Sequence, residues 1–474
     1  MVFNSVEFVI FFLIVTPLYF LLPHRFRWFL LLAASCVFYM AFVPVYILIL
    51  GFTIFIDYFA GIYIADAEGT RRKMLLTISI VANVGILAVF KYFNFISENF
   101  TSLLQSFGWQ YSLPLLKILL PIGLSFHTFQ AMSYTIEVYR RNQPPERNFG
   151  IYALYVMFYP QLVAGPIERP QNMLHQFYER HDFNWDNASG GAKRMLWGFF
   201  KKLVVADRAA TYVGAVYDNP THHSGVDFVV ATLFFAIQIY CDFSGYADIA
   251  IGTAEIMGFR LMENFKRPYF ARTVSEFWRR WHISLSTWFT DYVYISLGGN
   301  RVSVPRLYFN LMIVFLISGL WHGASWTYVV WGGINGFYLI VGAIVKAPKE
   351  KLHKAAGITK INAFYTLIQI ITTIILISFS WIFFRANDMH SALYAVNKIV
   401  TAWGHLFIQE NMLYVFLGAA VLFLSELVQE YYPQHKWFIK SDHFVVRCLS
   451  YSFLAVSIVA LGVFDGSQFI YFQF

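Results

Sequence analysis

Mostly apolar runs of about 17–25 residues, each long enough to cross a hydrocarbon layer, recur along almost the whole chain. Gly, Pro and isolated charges interrupt many of them, so the pattern predicts roughly eleven to thirteen spans. Alternation with a period of two is absent, which argues against a transmembrane barrel. The expected fold is therefore all-α, a polytopic transmembrane helical bundle forming one integrated membrane domain over residues 1–474. Met1 to Leu22 is apolar and is followed by His24, Arg25 and Arg27, which predicts a first span with its N-terminus outside rather than a cleaved signal. Trp28 to Ile64 holds two spans with a turn near Val43-Pro44, and Glu68 to Lys73 forms a second basic loop on the cytoplasmic side. Further spans are expected at Met74–Phe90, Leu115–Tyr139, Phe228–Met257, Ile361–Phe384, Met412–Val428 and Val445–Val463, with lysine-rich Lys346–Lys360 as a cytoplasmic loop.

Two stretches break this pattern. Tyr159-Pro160-Gln161-Leu162-Val163-Ala164-Gly165-Pro166-Ile167 is too apolar for a surface loop and too rich in Pro and Gly for a straight helix. A re-entrant or interfacial segment is the expectation. Glu168 to Ser189 is polar and is read as surface. Lys193 to Arg208 has the alternation of an amphipathic interfacial helix running into a span.

Composition sharpens the class. The chain has 474 residues, 58% hydrophobic and only 13% charged, where a soluble domain carries about 25% charged residues. The net charge of +8 arises from basic residues clustered in short loops and requires no nucleic acid. Cys36, Cys241 and Cys448 are an odd number, widely spaced, and suggest neither a disulfide framework nor a metal site.

Chemistry concentrates between Asn264 and Gly336. Trp281-His282 sits in the polar run Glu276 to Ser286, and Trp321-His322 sits in a region with no Lys, Arg, Asp or Glu from Leu307 to Val345. An ionisable side chain at membrane depth is costly and usually functional. His322 reads either as a general base toward a hydroxyl or as a hydrogen-bonded staple between helices. The Glu276, Arg279 and Arg280 spacing around His282 fits same-face ion pairs. That segment reads as a buried polar network, a phosphate site, or an interfacial helix with snorkelling arginines. A metal held by the two histidines has no diagnostic spacing behind it. Asp242 and Asp248 need partners at depth, either as proton carriers in a transporter or as structural partners of arginines.

Six ordered motifs then carry a resemblance. They are Pro121 to Gln130, Tyr159 to Pro170, Asp242 to Gly252, Asn264 to Phe270, Glu276 to Arg301, and Leu320 to Ala324. In this order they resemble the membrane-bound O-acyltransferase (MBOAT) family, and within it the membrane subunit of bacterial alginate O-acetylation. The motif core covers residues 121–336. The resemblance implies an acyltransferase with His322 as the catalytic histidine and His282 as its companion, acetyl-CoA as donor and no permanently bound cofactor. It also implies an extracytoplasmic partner with its own Ser-His-Asp site (SGNH-type), an exported polysaccharide, and residence in the bacterial cytoplasmic membrane. Lys201, Lys202, Lys266, Arg267, Arg279 and Arg280 are candidates for the CoA phosphates. Trp321, Asn335, Asp242 and Ser244 are candidates for the tunnel wall or its supports. The family often has a third histidine where this chain has Asn335, and an amide cannot act as a base. A sibling branch transfers D-alanine from a carrier protein to teichoic acid; a proton-coupled transporter is the alternative outside the family.

Overall fold

The computed structural model describes residues 1–109, 112–116, 121–163, 165–355, 363–464 and 469–470. Among these residues every regular element is helical. That follows from the solvent: hydrocarbon offers no hydrogen bonds, so each backbone amide must be satisfied within its own segment. Among the described residues, eight helices are long and apolar enough to cross a membrane. The larger number expected from the sequence counts segments that are apolar but short, such as Val6–Leu21, or that are broken near Tyr159.

The described chain forms two compact units, Met1–Met195 with Tyr246–Met262, and Leu196–Gly245 with Glu263–Ile470. In the first, α1 (Tyr46–Asp66), α2 (Gly69–Leu87) and α3 (Leu124–Tyr139) pack together around a buried polar knot. Asp57 accepts hydrogen bonds from Ser79 Oγ (2.6 Å) and Asn83 Nδ2 (2.8 and 3.0 Å), and Ser79 Oγ lies 3.0 Å from Thr135 Oγ1. Such pairing ties helices together where burial of apolar surface gives no preference over lipid. Part of the span expected at Leu115–Tyr139 lies outside the described residues; the helix itself starts at Leu124.

The Tyr159 stretch is a short helix, Tyr159–Leu162, buried throughout and stitched to its surroundings by side chains. Gln161 Nε2 and Gln130 Nε2 both donate to Tyr155 O, at 2.6 and 2.5 Å, and Tyr155 Oη donates to Glu168 O at 2.9 Å. Glu168, expected on the surface, is fully buried and accepts the Met262 N–H at 2.5 Å. Polar composition misleads at this residue because its partner comes from the distant Met262. Asp248 finds its counter-ion in Arg194 at 2.9 Å.

The second unit holds α4 (Gly225–Ile256, up to Gly245), the short helices α5 (Val274–Arg280) and α6 (Ile283–Phe289), the helix Phe444–Leu461, and four helices that bear on the site. These are α7 (Val304–His322), α8 (Trp326–Ala355), α9 (Ala363–Arg385) and α10 (Asn411–Tyr431). The sequence Lys346 onward is not a loop; α8 continues through it to Ala355, and residues 356–360 lie outside the described residues. α7 and α8 form a tight hairpin. A Cβ on Gly319 would lie 2.2 Å from Tyr328 O, and one on Gly332 2.3 Å from Phe315 O, so only glycine permits this approach.

The stretch expected as an amphipathic interfacial helix is also different. It is a helix interrupted by a π-helical segment, Phe200–Ala206, whose two lysines, Lys201 and Lys202, are buried. Lys202 Nζ pairs with Asp207 Oδ1 (2.8 Å) and Asp242 Oδ1 (2.7 Å), and Asp242 Oδ2 accepts the Ile470 N–H (2.7 Å). Lys201 Nζ donates to Ser244 Oγ at 2.8 Å. The alternation is that of a surface helix, but acidic and hydroxyl groups on α4 meet the ammonium groups inside.

Burial raises the Glu168 carboxyl from 4.5 to about 7. The folded protein then holds this proton more tightly than the unfolded chain. The resulting stability is full below pH 4.5 and is lost as pH rises to about 7. Glu168→Gln keeps an acceptor for Met262 and removes the titration. Thermal melting in detergent is expected to show a fall between pH 4.5 and 7 in the wild type that is reduced in Glu168→Gln.

Candidate active site

His322 is the last residue of α7, placed where the α7–α8 hairpin turns. Its ring is buried and held by aromatic surfaces: Trp321 at 5.0 Å and 79°, Trp331 at 5.0 Å and 86°, and Phe384 at 5.2 Å and 71° between centroids and planes. Trp331 is stacked in turn on Trp381 of α9 at 5.8 Å. Near-perpendicular ring packing of this kind is the preferred aromatic geometry and fixes the imidazole plane.

His282 reaches the same place from a different element. It lies between α5 and α6 with φ 43° and ψ 54°, left-handed for a residue with a Cβ. Such a conformation costs about 1–3 kcal/mol and persists only where the surroundings over-determine it. The surroundings do so here. Ile283 N–H donates to Asn264 O (2.9 Å), and Lys266 N–H donates to Arg280 O (2.9 Å), pairing the 264–266 segment with the 280–283 segment. Asn264 Oδ1 then accepts from Ser284 N (3.1 Å) and Ser284 Oγ (2.9 Å), capping α6 from outside its own helix. The His282 ring packs 4.6 Å from Phe243 and 6.1 Å from Trp321, so Trp321 touches both imidazoles. Burial pushes the His282 imidazolium down to about 3, which leaves the ring neutral at physiological pH.

Both histidines line one cavity of about 290 Å³. Its walls are largely apolar, with Trp278, Leu285, Phe315 and Leu339, and its polar edge includes Arg279 and Ser286. A neutral imidazole, a second imidazole and a largely apolar, shaped chamber are suited to general acid–base work on an uncharged group.

The cationic candidates separate clearly. Arg267 pairs with Glu430 Oε2 (2.7 Å), and Arg280 pairs with Glu430 Oε1 (2.9 Å) and Glu276 Oε1 (2.6 Å). Lys201 and Lys202 belong to the buried network already described and do not line the cavity. Lys266 and Arg279 are exposed, and Arg279 lines the cavity. Among the proposed supports, Trp321 bridges the histidines. Asn335 is fully buried, donates to Trp331 O (2.9 Å) and does not line the cavity. Asp242 and Ser244 hold the two lysines. Sequence reasoning missed Trp331, Trp381 and Phe384, and it missed Glu426 and Glu430. The last two were detectable as acids one helical turn apart at the end of an apolar span.

Residues 67–386 match the model of MBOAT, the membrane-bound O-acyltransferase family. The chain belongs to this family. It is a multi-pass membrane O-acyltransferase, and both histidines fall inside the matched region. It is 40% identical over 399 residues to the probable alginate O-acetylase AlgI of Pseudomonas aeruginosa, covering 83% of this chain and 73% of that protein. It is 34% identical over 400 residues to the peptidoglycan O-acetyltransferase of Helicobacter pylori, covering 78% and 73%. The teichoic acid D-alanyltransferase of Bacillus subtilis is more distant, at 25% over 283 residues, covering 57% of this chain and 69% of that protein.

Asn264→Ala removes the external cap of α6, a loss of about 1 kcal/mol, and frees the His282 loop. Acyl transfer is expected to fall in Asn264→Ala and to be largely retained in Asn264→Asp, which keeps the accepting oxygen; steady-state assays of the two purified variants check this.

Proposed function

We propose that this protein moves an acetyl group from cytosolic acetyl-CoA across a bacterial cytoplasmic membrane, toward O-acetylation of an exported polysaccharide such as alginate. The observation that carries the reading is an apolar cavity lined by both His282 and His322, in a family member similar over most of its length to named O-acetylases. The thioester arm enters the cavity with its phosphates outside, where Lys266 and Arg279 are the exposed cations. The neutral His282 ring hydrogen-bonds the thioester carbonyl. His322 takes the proton of the accepting hydroxyl as its oxygen attacks the carbonyl carbon. The tetrahedral intermediate collapses, the carbon–sulfur bond breaks, and the proton passes to the departing thiolate. The direct acceptor is an extracytoplasmic SGNH-type partner, which passes the acetyl group to the glycan.

Higher identity to the O-acetylases than to the D-alanyltransferase favours acetyl over D-alanyl transfer. A proton relay through Asp242 and Asp248 is disfavoured because each carboxylate already has a cationic partner, Lys202 and Arg194.

Radiolabelled acetyl-CoA with the protein in nanodiscs tests the proposal. Loss of a general base reduces transfer by about 10²–10⁴-fold, and that is the expected result for His322→Ala, with a smaller loss for His282→Ala. Near-normal transfer by folded His322→Ala would overturn the assignment.

A further inference from the structure

The family match ends at residue 386, yet the His282 loop is anchored from beyond it. α10 presents two acids one turn apart, Glu426 and Glu430, which therefore share a face. Glu430 grips both sides of the paired segments that carry His282: Arg267 Nε at 2.7 Å on one and Arg280 Nη1 at 2.9 Å on the other. Arg280 also reaches back to Arg267 O at 3.4 Å, closing the ring of contacts. Arg267 is itself left-handed, at φ 48°, so the two strained residues of the loop, Arg267 and His282, flank the segments that Glu430 ties together. Glu426 accepts a hydrogen bond from Tyr240 Oη, and the Tyr240 ring packs on Phe265 (5.9 Å), Tyr269 (5.5 Å) and Trp281 (6.1 Å). The helix thus holds the loop twice, once by charge and once through an aromatic ring.

The charges of Arg267, Arg280, Glu276 and Glu430 balance. Without Glu430, Arg280 keeps Glu276 while Arg267 loses its carboxylate, and a partly buried charge left unpaired is the costly outcome. The loop relieves that cost by letting its paired segments separate, and His282 moves with them.

We propose that Glu430 is a positioning residue for His282, which makes α10, a helix beyond the family match, part of the transfer machinery rather than an appended span. The inference rests on the reading of His282 as part of the transfer site. Its test therefore includes a measurement that does not need activity.

Hydrogen–deuterium exchange and acetyl transfer are measured on the full-length protein in nanodiscs, comparing wild type, Glu430→Gln and Glu430→Asp. The expected result for Glu430→Gln is faster exchange at the Lys266 and Ile283 amides and about tenfold slower turnover, with the KM for acetyl-CoA changed less than kcat. Glu430→Asp restores most of both. Unchanged exchange at these amides, or wild-type turnover in Glu430→Gln, overturns the proposal. Should Glu430→Gln lower the melting temperature, the spread of exchange decides: an increase confined to residues 263–286 supports positioning, and one spread through α7, α8 and α9 shows a merely structural role. If the wild type transfers no acetyl group, the functional reading fails while the exchange result still decides whether Glu430 holds the loop.

Discussion

The packing of the His322 ring against Trp321, Trp331 and Phe384 is the contact on which the site depends. An imidazole in an apolar region has to be oriented by something, and here aromatic faces do it. The glycine contact of α7 with α8 brings Trp331 within reach of His322, and the stack of Trp331 on Trp381 ties that pair to α9. Three helices therefore fix one ring plane. Replacing this wall with flexible aliphatic side chains would preserve apolarity but not orientation, and the chemistry of a general base depends on orientation first.

Charge is managed on a different principle. Lys202 is neutralised by Asp207 and Asp242 inside the second unit, Arg194 by Asp248 inside the first, and Arg267 and Arg280 by Glu430. The Lys202–Asp242, Arg194–Asp248 and Glu430 pairs each convert a desolvation penalty into a specific connection between segments distant in sequence. Arg279, exposed and lining the cavity, and Lys266, exposed in the segment paired with the His282 loop, are not in such pairs among the described residues. In a greasy protein, the few charges left for a ligand become visible only after the structural pairs have been subtracted.

Much of this was legible in the sequence. Long apolar runs give the spans because the membrane forces a helix on each of them, and the two Trp-His pairs stood out because each imidazole is expensive where it lies. The errors share a physical cause. Lys201 and Lys202 look like the polar face of a surface helix because Ser244 and Asp242, which hold them, become neighbours only in the fold. Glu168 looks like surface because its acceptor role toward Met262 crosses a long stretch of chain. The lysine-rich end of α8 looks like a loop because Lys346, Glu350 and Lys351 are exposed, yet a helix can run beyond the apolar layer. Trp381 and Phe384 carry no local signal of a shared site, and the spacing of Glu426 and Glu430 does not name what they meet, since periodicity reports which residues are buried and not their partners.

The most direct test of the account is a cryo-electron microscopy structure of the protein bound to a non-hydrolysable acetyl-CoA analogue. The account predicts density for the thioester arm in the cavity lined by His282 and His322, with the carbonyl within hydrogen-bonding distance of an imidazole and the phosphates near Lys266 and Arg279. An arm bound elsewhere, with that cavity unchanged and empty, would contradict it.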